Sequence, residues 1–152
     1  MHSMVDLGIL KQLRELTDAS IGACKTALEK AGGDIKRAAG FLREEGSKIA
    51  EKKSSRATGI GIVEAYVHTN QRIGSLLEIR SETDFVARNP EFKKLAHDIA
   101  MHIAASAPES VPALLEQPFI KDESKTIGAL VTEAISKFGE NIQITNISRF
   151  EI

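Results

Sequence analysis

Three acidic side chains, Glu78, Glu82 and Asp84, lie close together in the sequence and suggest acid/base chemistry. Carboxylates do such work when a nucleophile or a proton relay stands beside them. No histidine, lysine or cysteine is arranged in that role near these acids. We therefore predict that the chain is not an enzyme, and a hydrolase at these acids is kept only as an alternative that lacks a nucleophile.

Residues that commonly bind metal ions are few in this chain. His97 and His102 are five positions apart, a rotation of about 500° on a helix, so they do not share a face as an i, i+4 metal pair would. We expect both to face solvent. Cys24 is the only cysteine, so it can form no intrachain disulfide. It lies between Ala23 and Ala27 in a helical pattern, which predicts that Cys24 is a small core residue. No metal or cofactor is predicted.

Composition limits the remaining classes of function. Of the 152 residues, 42% are hydrophobic and 27% are charged, as in ordinary globular proteins. No apolar run approaches the roughly 20 residues of a membrane span, and the N-terminus lacks the features of a secretory signal. We predict a cytoplasmic protein with no membrane partner. The formal net charge of -1 gives no overall attraction to nucleic acid, so no direct nucleic-acid binding is predicted.

Residues 1–50 are predicted to form a three-helix domain. Leucines that recur every three residues form one face of the first predicted helix: Leu7, Leu10, Leu13 and Leu16. Thr17 or Asp18 should cap the second helix. The inward face of that helix is expected to contain Ile21, Cys24, Ala27 and Leu28. Asp34 should cap the third helix, which we expect to end at Gly46.

The predicted linker, residues 51–58, belongs to a polar and basic stretch that begins at Ser47. Its basic side chains could contact phosphate groups: Lys48, Lys52, Lys53 and Arg56. No aromatic side chain is interleaved for stacking on bases. We therefore interpret this stretch as a solvated helix end and linker.

Residues 59–152 are predicted to form an α+β core domain, in which two helices cover an antiparallel three-stranded sheet. Alternating apolar residues indicate strands at 60–68 and 73–81, joined by the four-residue loop "TNQR". The tail "NIQITNISRFEI" alternates as a third strand. Its apolar phase slips between Ile144 and Ile147, which predicts a bulge there.

Two amphipathic helices are expected between the second and third strands. Asn89 should cap the first, with Pro90 at its first position. A loop, "APESVPALLEQPFIKDE", contains three of the four prolines. Asp122 or Ser124 should cap the second helix, and Gly139 should end it.

A phenylalanine stands in a polar segment, "SETDFVARNPEF", after the second strand. Ser81 and Asp84 fit a capping box, so a single helical turn should begin there and break at Asn89-Pro90. Burial of a phenylalanine is worth roughly 1.5 to 3 kcal/mol, which favours a core position for Phe85. An exposed aromatic would instead anchor a partner. The spacing alone leaves both interpretations open.

Several blocks of the sequence, in the same order, resemble bacterial-type elongation factor Ts. They are "LRELTDASIGACKTALEKAGGDIKRAAGFLREEGSKIAEKKSSR", "GIVEAYVHTNQRIGSLLEI", "RSETDFVARNPEFKKLAHDIAMHIA", "LLEQPFIKD" and "ISKFGENI". Members of this family contain a ubiquitin-associated-like three-helix domain, a linker and an α+β core. That organisation agrees with the one predicted from the residues.

The resemblance implies a guanine nucleotide exchange factor for elongation factor Tu, bound both with GDP and without nucleotide. It places one segment against the partner near its magnesium ion: Thr83, Asp84, Phe85 and Val86. Phe85 would act as a wedge, and displacement of magnesium would loosen GDP. The N-terminal domain would dock on the GTPase, and the residues assigned to that contact are Arg14, Ile21 and Lys25.

The chain also departs from the family pattern. Ile21 and Gly22 stand where two methionines are common, whereas the following lysine is kept as Lys25. Longer members place further structure before "LLEQPF", so we expect a short form with weaker exchange. The alternative, from another class, is a binding module that uses the three-helix domain for a ubiquitin-like or ribosomal partner. The oligomeric state is left open.

Overall fold

The computed structural model describes residues 6–152. Backbone contacts divide the chain into two compact units, Met1–Lys52 and Lys53–Ile152. The first unit is helical and the second combines a sheet with helices. Among the residues described, no helix has both the length and the apolar character needed to cross a lipid bilayer.

Three helices build the first unit: α1 (Leu7–Thr17), α2 (Ile21–Lys30) and α3 (Ile35–Lys53). Its core consists of small and medium apolar side chains: Leu13, Cys24, Ala27, Leu28, Ala31 and Ala38. Cys24 is fully buried among them, which confirms it as a core residue. The predicted leucine face is only partly correct, because Leu7 and Leu16 are exposed.

The ends of these helices differ from the predicted ones in two places. Ser20, not Thr17 or Asp18, caps α2 by accepting a hydrogen bond from the Ala23 N–H at 3.1 Å. Asp18 instead ends α1 in a left-handed conformation. Asp34 caps α3 as predicted, through the Arg37 N–H.

The predicted end of α3 at Gly46 is wrong, because the helix continues to Lys53. Gly46 is buried within it. A glycine costs a helix interior only about 1 kcal/mol relative to alanine, so neighbouring good helix formers carry the helix through. The first three residues of the predicted linker, 51–53, are therefore helical.

An antiparallel sheet forms the centre of the second unit. Its strands are β1 (Ile60–Val67), β2 (Ile73–Ser81) and β5 (Gln143–Glu151), in the order β1-β2-β5. This arrangement, after three N-terminal helices, confirms the predicted α+β class. The β1-β2 loop closes through the His68 N–H on the Ile73 carbonyl oxygen at 2.9 Å.

The predicted bulge in β5 is also confirmed. Glu78 pairs with Asn146 while its neighbour Ile79 pairs with Ile144, so Thr145 is the extra residue. The bulge places the Thr145 hydroxyl 2.9 Å from the Glu78 carboxylate, to which it donates a hydrogen bond.

The two faces of the sheet have different surroundings. Helix α5 (Pro90–Ser106) packs on β1 and β2 and helps to bury Leu77 and Ile79. Residues of opposite phase form what we call the open sheet face, which exposes Val63, Val67, Leu76 and Phe150. The second unit thus has two layers, the sheet and a layer of helices on one side of it.

The connection from α5 to β5 is more ordered than predicted. The expected loop contains α6 (Val111–Glu116) and a small hairpin of β3 (Pro118–Phe119) and β4 (Asp122–Thr126). The last helix, α7 (Ile127–Phe138), is capped by Thr126, so the predicted caps Asp122 and Ser124 are wrong. Phe138 of α7 meets Phe92 of α5 edge to face, with 6.2 Å between ring centres.

His102 joins α5 to this connection and is fully buried, so the prediction that it faces solvent is wrong. Its Nδ1 accepts a hydrogen bond from the Ile120 N–H at 3.2 Å. Its Nε2, which then carries the proton, donates to the Gln117 side-chain oxygen at 2.9 Å. Burial lowers the pKa of His102 from its ordinary value, because the charged form loses its hydration, while the bond to Gln117 opposes that shift.

Acidification is therefore expected to destabilise the second unit. A folded-state pKa below the unfolded value means that the unfolded chain binds the extra proton, so stability present above about pH 6.5 is lost as pH falls below it. For one histidine the loss between pH 7.5 and pH 5.5 is at most about 1.4 kcal/mol. Urea unfolding at the two pH values measures it.

Two substitutions separate His102 from the other histidines. His102→Gln should remove most of the pH-dependent loss, and His97→Gln, at an exposed position of the same helix, should leave it in place. Equal free energies of unfolding at pH 7.5 and pH 5.5 in the unmodified chain would contradict the predicted effect of His102 on stability.

Candidate functional site

A single helical turn, α4 (Asp84–Ala87), connects β2 to α5 and presents the segment that we call the tip, residues 83–88. Thr83 is its cap, with the hydroxyl accepting from the Val86 N–H at 3.4 Å. The predicted cap, Ser81, is fully buried and instead donates its hydroxyl proton to the Thr83 carbonyl oxygen at 2.9 Å. A single turn was predicted here and is confirmed, but its cap lies two residues later.

The side chains of α4 point in opposite directions. Phe85 is 84% exposed, which excludes the core position that burial energetics favoured. Val86 and Ala87 are buried, at 4% and 1% exposure. The Val86 side chain thus fixes the turn from the inside, and the assignment of Val86 to the partner contact stays a prediction. The turn thus holds an aromatic ring in solvent on a buried base.

Two charged groups flank the exposed ring. The Asp84 carboxylate lies 2.8 Å from the Arg88 guanidinium, one helical turn further on. Both side chains are mostly exposed, so this i, i+4 pair contributes only a few tenths of a kcal/mol to stability. Asp84 remains accessible to a partner. Arg88 was not predicted from the sequence, although its i+4 spacing from Asp84 is visible there.

The other two acids of the sequence cluster have structural partners. Glu78 accepts hydrogen bonds from Thr145 and from Arg80, in that order of effect, and these lower the pKa of its carboxyl group. Glu82 accepts from the backbone N–H of Asn141 at 2.7 Å. The three acids therefore do not converge on one reaction centre.

The histidines of residues 6–152 are not grouped with two or more other metal-binding side chains. Within residues 6–152, no three side chains of histidine, cysteine, aspartate or glutamate are grouped to hold a metal ion. His97 is exposed, 3.6 Å from the Glu64 carboxylate and beside the Tyr66 ring.

The residues assigned to the N-terminal contact all reach the surface of the first unit. Arg14 lies in the last turn of α1 and is exposed. Ile21 begins α2 with 54% of its surface exposed, so its predicted place on the inward face is wrong. Lys25 follows Ile21 by four residues and is exposed on the same side of α2. Ile21 and Lys25 form an apolar and basic surface on one helix.

Comparison with known proteins places these features in one family. The family model described as Elongation factor TS matches residues 82–152, the part that contains the tip. Elongation factor Ts of Thermotoga petrophila is 40% identical, with 97% of this chain and 96% of that protein covered. The corresponding protein of Rubrobacter xylanophilus is 42% identical, over 94% of this chain and 96% of that protein. A chloroplastic polyprotein of EF-Ts from Oryza sativa subsp. indica is 40% identical over 97% of this chain, which spans 17% of its length.

The alignments also show that the bacterial relatives are longer. The alignment with the Thermotoga petrophila protein extends over 191 positions, whereas this chain has 152 residues, so at least 39 positions have no counterpart here. The alignments nevertheless extend over 96% of the length of each of these two bacterial proteins.

Proposed function

The chain belongs to the elongation factor Ts family, a family of translation elongation factors, and from this membership we propose that it is a guanine nucleotide exchange factor for elongation factor Tu. The observation that carries the proposal is Phe85, an aromatic side chain kept 84% exposed on a turn whose other side is buried. A solvent-exposed aromatic on a fixed base is the type of residue that dominates protein interfaces.

An exchange factor acts by linkage between two binding equilibria. If it binds the nucleotide-free GTPase more tightly than the GDP-bound form, it weakens GDP binding by the same factor. The factor need not touch the nucleotide. Magnesium bridges the phosphate oxygens to a GTPase, so displacement of the ion's ligands removes a charge on which nucleotide affinity depends.

In this proposal the tip enters the GTPase near its magnesium ion. Phe85 occupies an apolar gap between partner side chains, and Asp84 contacts a polar or basic group beside it. Thr83 and Val86 hold the turn through the capping hydroxyl and the buried side chain. Exchange then requires no catalytic residue in this chain, which agrees with the structural roles of Glu78 and Glu82.

We assign a second contact to the first unit. Ile21 offers an exposed apolar side chain, and Lys25 and Arg14 offer positive charge to the GTPase. Positive charge on a binding surface increases the rate of encounter with an acidic partner surface. This contact adds affinity, whereas the tip changes the nucleotide site.

Release of GDP from purified elongation factor Tu tests the proposal. A fluorescent GDP analogue is bound to the GTPase and chased with excess unlabelled GDP, with and without this chain. We expect GDP release to accelerate, and the affinity of the GTPase for GDP to fall by about 5- to 150-fold when the chain is bound, the range of common coupling energies. The chain should also bind nucleotide-free elongation factor Tu more tightly than the GDP-bound form. Unchanged release with the chain in excess, or equal affinity for both forms, would overturn the proposal.

A further inference from the structure

The tip is fastened to a turn that is distant in the sequence. Residues 139–142, between α7 and β5, lie beside the turn between β2 and α4. The carboxylate of Glu140, in residues 139–142, accepts hydrogen bonds from three donors in the turn between β2 and α4. Glu140 Oε1 accepts from the backbone N–H groups of Glu82 at 3.2 Å and Thr83 at 3.0 Å. Its Oε2 accepts from the Thr83 hydroxyl at 2.6 Å.

The fastening is reciprocal. Glu82 Oε2 accepts from the backbone N–H of Asn141 at 2.7 Å and lies 3.6 Å from the Arg56 guanidinium. Asn141 is 2% exposed, and its side-chain amide donates to the carbonyl oxygens of Ser54 and Arg56. Each turn therefore contributes a carboxylate that satisfies backbone N–H groups of the other. Such charge-assisted bonds are about twice as strong as neutral ones.

We propose that Glu140 is a positioning residue for Phe85, an inference that rests on the proposed exchange function. A helix of four residues is not stable alone, since nucleation of a helix is unfavourable. The three bonds from Glu140 fix the residues immediately before α4 and orient the cap, Thr83. Phe85 is thereby held in one direction before a partner arrives, which reduces the ordering cost of binding.

The location of these bonds separates positioning from general stability. Thr83 is exposed, so water can replace Glu140 as the acceptor when that side chain is removed. The base of the turn remains buried through Val86 and Ala87. Loss of Glu140 therefore loosens the tip while the sheet and α5 stay folded.

Hydrogen exchange of the backbone amides provides a test that does not depend on a partner. In Glu140→Ala the amides of Glu82 and Thr83 should exchange about tenfold faster or more, while those of β2 stay protected. Glu133→Ala is the matched control, because Glu133 is on α7 and pairs with Lys125 at 3.1 Å, away from the tip. Unchanged exchange of Glu82 and Thr83 in Glu140→Ala would overturn the proposal.

The same variants are then compared in GDP release. Glu140→Ala should slow stimulated release by about tenfold at limiting concentration, and Glu133→Ala should not. Glu140→Gln keeps an acceptor for the two N–H groups and should fall between Glu140→Ala and the unmodified chain. If Glu140 acts through Phe85, adding Glu140→Ala to Phe85→Ala should have little further effect. Independent, multiplying effects would contradict positioning.

Failure of this inference can be distinguished from failure of the exchange function. If the unmodified chain does not accelerate GDP release, the exchange proposal fails and the amide result stands alone. If Phe85→Ala abolishes the stimulation of GDP release while Glu140→Ala stimulates release as strongly as the unmodified chain does, only the role proposed for Glu140 is wrong.

Discussion

Replacement of Phe85 by alanine is expected to slow stimulated GDP release by about 30-fold or more, which corresponds to the roughly 2 kcal/mol that defines an interface hot spot. The free energy of unfolding should change by no more than about 0.5 kcal/mol, because the side chain is 84% exposed and packs on little in the free protein. Stopped-flow release of fluorescent GDP and urea unfolding measure the two quantities.

Two further variants control this result. Ile120→Ala removes an exposed apolar side chain from the hairpin of β3 and β4 and should leave GDP release unchanged. Phe85→Leu keeps much of the apolar volume without the ring and should give an intermediate rate. If Phe85→Ala stimulates release as well as the unmodified chain does, the tip is not the part that acts on the nucleotide site.

Phe92→Ala, unlike Phe85→Ala, is expected to destabilise the fold strongly. Phe92 is fully buried and packs edge to face against Phe138, so its loss should cost about 3 to 5 kcal/mol of the free energy of unfolding. Tyrosine fluorescence follows this loss in urea, because Tyr66 of β1 is the only tyrosine and the chain has no tryptophan. The signal reports on the second unit.

Phe85→Ala serves as the matched control, since it is the same substitution seven positions earlier. A loss below about 1 kcal/mol in Phe92→Ala would contradict a central role for the contact between α5 and α7. Together the two substitutions are expected to separate stability from partner binding within one short segment.

Much of the architecture follows from local signals. Asn89 and Pro90 start α5 as expected because capping depends on neighbouring residues. The bulge at Thr145 was visible as a phase slip. Structure in the connection was missed because its prolines suggested a loop, whereas Pro112 fits the first turn of α6 and Pro118 begins β3.

The site was less predictable because its properties depend on distant residues. A single turn has too few residues for periodicity to show whether Phe85 or Val86 faces inward. Burial of His102 depends on Gln117 and Ile120, which approach through the folded connection. Glu140 gave no signal, since nothing near it in the sequence indicates its partners. The resemblance pointed to residues 83–86 as the candidate segment but gave no indication of what holds it.

The hydrogen bonds between Glu140 and the tip also determine when the tip can adopt its folded conformation. Glu140 and Thr83 are separated by 57 positions, and β2 is flanked by β5, the last strand of the chain. Contacts of such long range close late, because the entropy of a large loop must be lost first. During synthesis, a nascent chain that has not reached residue 140 carries Phe85 without its support. Support of the tip thus depends on residues that follow α7, and under the proposed function we expect stimulated GDP release to report on completed folding.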